Sequence, residues 1–204
     1  ADYQTLFYDG FESGYGNWIT SGVSLKSLNT YWGTWSLELD NSDYAIRAQS
    51  MSGYENVKVT FANKISGYDV FPQDKSYIEY TTNYGSSWNI LQTFTANGDW
   101  TLREYLLPSS CNNNSLFGIR YRSGTNSGSD DAWLDEVRIQ ATAIPYTLYT
   151  MTARANGAGT VSVSPAAYYG NNQYIAGTNV TLTATAVNGW TFTGWSGSIS
   201  GTTN

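Results

Sequence analysis

Asp9-Gly10-Phe11-Glu12-Ser13-Gly14, followed by Trp18, opens the first part of this chain, and Asp131-Ala132-Trp133-Leu134-Asp135-Glu136-Val137-Arg138-Ile139 closes it. Each segment mixes carboxylates with bulky apolar residues in strand-like alternation, so acids and core anchors share one backbone. A carboxylate drawn toward a core needs a partner, and few Lys or Arg residues stand near either segment. A bound calcium ion is the natural partner.

Between these two segments, short alternating runs are broken by Gly, Asn, Ser and Asp, the signature of an all-β chain. Strands are expected near residues 4–9, 34–39, 43–49, 56–64, 76–82, 88–94, 101–107, 115–122 and 132–139. Val57, Val59 and Phe61 share one face of their strand, and Phe117, Ile119 and Tyr121 share one face of another. Asn83-Tyr84-Gly85-Ser86-Ser87 is a tight loop between two strands. Strands at this spacing predict a two-sheet jelly-roll sandwich over residues 1–140. Ala141-Thr142-Ala143-Ile144-Pro145 then reads as a linker, and the composition changes. From Tyr146 to Asn204 the only charged residue is Arg154. There Val180, Leu182, Ala184 and Ala186 alternate with Thr181, Thr183 and Thr185, the pattern of a small second β domain with one wet face.

Composition removes whole classes of function. The 204 residues carry a net charge of −6, which argues against a nucleic-acid partner. No run approaches the roughly 18 apolar residues of a membrane helix. Ala1-Asp2-Tyr3 reads as a mature N-terminus after signal removal, and the composition leans toward a secreted or cell-surface protein. With no His in the chain, neither a Ser-His or Cys-His nucleophile pair nor a His-bound zinc can form. The single Cys111 cannot close an intrachain disulfide and reads as a passive loop cysteine. Asp130-Asp131 and Asp135-Glu136 are the adjacent carboxylates a glycosidase could use in principle, but neighbours in one strand point to opposite faces, so Asp135 and Glu136 cannot jointly flank one bond. No phosphate loop or dinucleotide fingerprint occurs, so the chain reads as non-catalytic.

Two resemblances add to this reading. Gly10-Phe11-Glu12-Ser13-Gly14 with Trp18, Gly33-Thr34-Trp35-Ser36-Leu37-Glu38-Leu39, Gly85-Ser86-Ser87-Trp88 and Leu134-Asp135-Glu136-Val137 resemble secreted jelly-roll modules. The nearest groups are carbohydrate-binding modules of the family 4, 16 and 22 type and the related MAM-like adhesion domains. That resemblance implies a structural calcium held by Glu12 and Asp135, with Asp9 as a third ligand and carbonyls near Asn29 to Trp32 completing the shell. Residues 146–204 resemble the bacterial surface repeat related to the internalin B-repeat. The carriers are Gly157-Ala158-Gly159-Thr160-Val161, Ser164-Pro165, Ala176–Ala184 and Gly189-Trp190-Thr191-Phe192-Thr193-Gly194-Trp195-Ser196-Gly197. It implies that Trp190 and Trp195 are core and turn anchors, that the repeat is incomplete at its C-terminus, and that further domains are covalently linked in a parent protein.

Aromatic rings stack on sugar faces, so the tryptophans need sorting. Trp18, Trp88, Trp100 and Trp133 are expected to be structural, with Trp35 also inward, whereas Tyr31-Trp32 lies in a loop before a glycine and is expected at the surface. Where Phe117, Ile119 and Tyr121 face the core, Arg120 and Arg122 face out; Lys58 and Lys64, and Tyr77 and Glu79, follow by the same alternation. The phase of Arg103 stays open. The candidate ligand-binding set is therefore Tyr31, Trp32, Lys64, Tyr68, Tyr77, Glu79, Arg103, Arg120 and Arg122, and the candidate metal set is Asp9, Glu12 and Asp135. Arg forks recognise carboxylates and sulfates, which favours an acidic polysaccharide as partner. The function expected is polysaccharide binding within a larger secreted bacterial protein, a carbohydrate-active enzyme; the alternative is a cell-surface adhesion or spacer module with a protein partner.

Overall fold

The computed structural model describes residues 2–71 and 73–204. The chain divides into two compact units, Ala1–Ile144 and Pro145–Asn204. In chain order the first unit holds β1 (Gln4–Asp9), β2 (Ile19–Ser21), β3 (Ser24–Lys26), β4 (Ser36–Leu39), β5 (Tyr44–Ala48), β6 (Tyr54–Ser66), β7 (Lys75–Thr81), β8 (Asn89–Phe94), β9 (Gly98–Leu106), β10 (Gly118–Gly124) and β11 (Asp131–Ala143). One sheet runs β3-β4-β11-β6-β9, with β1 also on β11; the other runs β2-β5-β10-β7-β8. From β4 onward successive strands mostly change sheet, as a jelly roll requires. All nine expected strands are present, while the three-residue β2 and β3 are additions that the residue pattern does not reveal. The stretch expected as a linker begins later than anticipated, because β11 continues through Ala143 and Ile144 N–H still donates to Gly53 O at 2.9 Å.

The alternation seen in the sequence builds the core. Val57, Val59 and Phe61 from β6 meet Ile78 from β7 and Phe117, Ile119 and Tyr121 at and within β10, all of them buried. Phe61 packs edge-on against Tyr121 at 5.9 Å and Phe94 at 6.3 Å between ring centroids, the arrangement aromatic quadrupoles prefer. Polar groups inside are paired: Asn63 Nδ2 donates to Tyr121 Oη at 3.4 Å, and Arg103 Nε donates to Asn63 Oδ1 at 2.9 Å. This settles the phase of Arg103, whose guanidinium points toward the sandwich interior, 5.5 Å from the Phe94 ring centroid. Tyr68, placed among the ligand candidates, is only 5% exposed and belongs to the core.

One irregularity decides where the acids go. On β11 the register passes from Asp135 opposite Ala62 to Arg138 opposite Thr60, so Glu136 and Val137 together oppose one residue. Glu136 takes φ 54, the left-handed conformation of such a bulge. The extra residue lets Leu134, Val137 and Ile139 all reach the core despite their broken spacing. It also undoes the strict parity expected for Asp135 and Glu136. Asp135 bonds to the 31–32 loop, while Glu136 bonds to Tyr8, which is 45% exposed, and to Arg138.

In the second unit β12 (Leu148–Thr150) pairs with β14 (Gln173–Ile175), and β13 (Gly159–Ser164) pairs with β15 (Thr181–Ala186). Trp195 is anchored, its Nε1 donating to Thr203 O at 2.9 Å and its ring 5.2 Å from Phe192. Trp190, expected as a core anchor, is 59% exposed.

Candidate functional site

The outer face of the β2-β5-β10-β7-β8 sheet gathers four of the candidate residues. In register, Arg120 on β10 stands opposite Glu79 on β7 and Ile46 on β5, and Arg122 stands opposite Tyr77 and Tyr44. These positions alternate with the core residues Ile78, Ile119 and Tyr121, which is why they share one outer face. Arg120 Nε donates to Glu79 Oε2 at 2.6 Å and Arg122 Nε donates to the same oxygen at 3.0 Å. The Arg120 guanidinium lies 4.5 Å from the Trp88 ring centroid, and that of Arg122 lies 3.8 Å from the Tyr77 ring. Glu79 is thus buried beneath the groups it orients. Two cations on one carboxylate leave this patch positive on an otherwise acidic protein, and each fork is held by Nε rather than by its two terminal nitrogens. Such an arrangement presents planar, pre-oriented donors beside aromatic surface.

Trp88, expected in the core, is instead half-buried under Arg120. Its place directly before the edge strand β8 is the signal that could have found it, since an edge strand borders open surface.

The remaining candidates lie elsewhere. Lys64 sits on the outer face of the other sheet, beside Asp99 at 3.5 Å and 5.8 Å from the Trp133 ring centroid. Tyr31 and Trp32 are in the loop before β4, 43% and 65% exposed, as expected of that loop. Tyr31 packs on Trp100 at 6.1 Å, and Trp100 is half-buried rather than a core ring. Trp35, expected inward, is 36% exposed.

That loop is where the bookend acids converge. Asp135 Oδ2 accepts the N–H of Tyr31 at 3.0 Å and of Trp32 at 3.1 Å, and its Oδ1 accepts the N–H of Glu136 at 2.7 Å. Glu12 Oε1 accepts the N–H of Thr34 at 2.8 Å and of Trp35 at 2.9 Å. These last two bonds hold the Glu12 carboxyl below its ordinary pKa, whereas burial pushes Asp135 up to about 6 despite its donors. Glu12 and Asp135 therefore do clamp one loop from the two ends of the domain. In this arrangement the bonded oxygens of both acids accept backbone amide hydrogens. Asp9 is bonded in a similar way: Oδ1 accepts Phe11 N–H at 2.8 Å and Oδ2 accepts Trp18 Nε1–H at 3.0 Å. Among the described residues the three acids do not form a group of mutually close carboxylate oxygens. These hydrogen bonds tie the loop to both ends of the domain.

Residues 149–204 match the family model of the divergent InlB B-repeat domain. That match falls within the second unit, so the sandwich needs separate comparison. Comparison with curated proteins finds no match. Among solved structures the chain is similar to the N-terminal CBM22-1–CBM22-2 tandem domain of Paenibacillus barcinonensis Xyn10C, at 14% identity and a TM-score of 0.52, covering 89% of this chain and 60% of that one. It is similar to the K3 cleaved adhesin domain of Lys-gingipain from Porphyromonas gingivalis at 15% identity and a TM-score of 0.51, covering 68% of this chain and 99% of that one. It is also similar to the CBM22-1–GH10 modules of a Clostridium thermocellum endo-1,4-β-D-xylanase complexed with xylohexaose, at 16% identity and a TM-score of 0.51, covering 76% of this chain and 31% of that one. At these identities the likeness is one of fold, an all-β sandwich.

Proposed function

We propose that the first unit is a non-catalytic polysaccharide-binding module that prefers acidic glycans, carried by a secreted or surface protein with further domains. The observation that carries this reading is the Arg120–Glu79–Arg122 cluster flanked by Trp88 and Tyr77 on one sheet face. Guanidinium forks pair with uronate or sulfate groups in bidentate geometry, and rings beside them offer faces for sugar C–H groups. Support from the comparisons is coarser: the CBM22 modules described above share the fold, one of them in a chain complexed with xylohexaose.

Affinity electrophoresis against neutral and acidic polysaccharides tests the proposal. Retardation is expected in gels containing a uronate-bearing or sulfated glycan, weakened by salt as screening reaches exposed charges. Arg120→Ala and Trp88→Ala should each weaken it by about tenfold, the loss typical of one central contact. Retardation by neutral glycans alone removes the acidic preference. No retardation by any glycan removes polysaccharide binding and favours the adhesion or spacer reading, which the likeness to the cleaved adhesin domain also supports.

A further inference from the structure

A second acidic cluster lies away from both the Arg pair and the clamped loop. Asp69 and Asp74 flank the turn between β6 and β7, and Asp130 stands immediately before β11; their carboxylate oxygens lie within 4.8 Å of one another. Asp74 is 1% exposed and Asp130 4%. Two of these oxygens have protein donors: Asp74 Oδ2 accepts Asp69 N–H at 2.7 Å, and Asp74 Oδ1 accepts Asn126 Nδ2 at 2.9 Å. Asp130 Oδ2 is buried with no hydrogen-bond partner at all. Among the described residues, no Lys or Arg forms an ion pair with any of the three. An unpaired buried carboxylate oxygen on a residue grouped with two more acids is costly without a cation.

The other acidic group, Glu38, Asp40 and Asp131, is different in kind. There Glu38 receives Lys26 Nζ at 2.8 Å and Trp133 Nε1 at 3.1 Å, so the protein already supplies positive charge and donors. Only the Asp69–Asp74–Asp130 group lacks such compensation.

We infer that Asp69, Asp74 and Asp130 form a calcium site joining the β6–β7 turn to the start of β11. Calcium suits it because hard oxygens on flexible turns, several of them carboxylates, are what that ion takes, whereas magnesium demands stricter octahedral geometry. The Asn126 side-chain amide, turned end for end, adds a fourth oxygen. Because β11 and β6 belong to one sheet and β7 to the other, the ion would tie the two layers at one corner.

The test is thermal unfolding of the whole chain, stripped with chelator and then titrated with calcium chloride, alongside equilibrium dialysis for stoichiometry. Binding to the folded state alone raises the melting temperature by mass action. For a site of extracellular affinity, a rise of several degrees is expected by about 10 mM calcium. Asp130→Asn should abolish that rise, and its melting temperature in chelator should be no lower than the parent's, because one of three facing charges is gone. Asp69→Asn, altering an exposed residue, should weaken calcium affinity by about tenfold and serves if Asp130→Asn does not fold. Glu12→Gln should leave the calcium response intact. No response in the parent, a full response in Asp130→Asn, or loss of the response only in Glu12→Gln would each overturn the inference.

Discussion

Asp135 shows how one side chain can be well bonded and still uncomfortable as an anion. It is fully buried and accepts three backbone N–H groups, yet burial raises its pKa from 3.8 to about 6. A carboxyl whose folded pKa is raised favours folding most below its unfolded pKa. That contribution is lost as pH climbs from about 4 through about 6. The neutral carboxyl keeps both oxygens as acceptors, whereas the amide of Asp135→Asn replaces one with a donor facing an N–H. The variant should therefore be less stable than the parent by about 1–3 kcal/mol near pH 4, the cost of a buried donor left unpaired. As pH rises through 6 the gap should narrow, since the parent must then carry a buried charge that the variant lacks. Denaturant titrations at pH 4, 5, 6 and 7 measure this. A gap that widens with pH would mean the amides stabilise the anion more than burial opposes it.

At the scale of elements, the loop before β4 depends on Gly33. Its φ is +74, and a Cβ there would collide with the Glu12 carboxylate that receives the Thr34 and Trp35 amides. Gly53 has a similar φ of +80 but no atom within 4 Å of such a Cβ. Gly53→Ala should lose only the backbone freedom of glycine, about 1 kcal/mol. Gly33→Ala should lose at least about that much again, because Glu12 must leave its amides or the loop must shift. Equal losses in urea titrations of the two variants would show that the Glu12 clamp contributes nothing. The same scale explains what was legible in the sequence. Long strands such as β6, β7 and β10 announced themselves because one buried face imposes a period of two over several residues. β2 and β3 did not, since three residues cannot display a period. The bulge at Glu136 stayed hidden because it breaks the alternation that a strand reading assumes, and strict parity then misjudged the Asp135–Glu136 pair. Tyr77, Glu79, Arg120 and Arg122 were legible as an outward group because their strands are regular. Trp88, Trp35 and Trp100 were not, because edge and loop positions lack two-sided packing to enforce a phase.

At the scale of the whole molecule, Cys111 reports whether the sandwich opens as one body. It lies in a short 3-10 turn, Ser109–Cys111, fully buried against the core, and burial pushes its thiol up to about 12. The thiolate is the reactive form, so both shielding and pKa suppress its chemistry in the folded state. A thiol reagent at pH 8 should therefore leave the native chain unlabelled over the time in which the chain unfolded in denaturant reacts completely. Across a denaturant series, labelling should follow the loss of the sandwich's circular dichroism, with the two midpoints coinciding. Labelling that runs ahead of that transition would mean the corner around Cys111 opens locally while β6 and β10 remain paired within their sheets. The contacts argue against that outcome: Leu107 N–H donates to Val57 O at 2.8 Å, and Asn113 N–H donates to Tyr54 O at 2.7 Å. The turn is thus tied on both sides to β6, which pairs with both β9 and β11 in the first sheet. Exposing the thiol requires breaking bonds to an interior strand of that layer, paired on both sides, and that strand is not expected to yield before the rest.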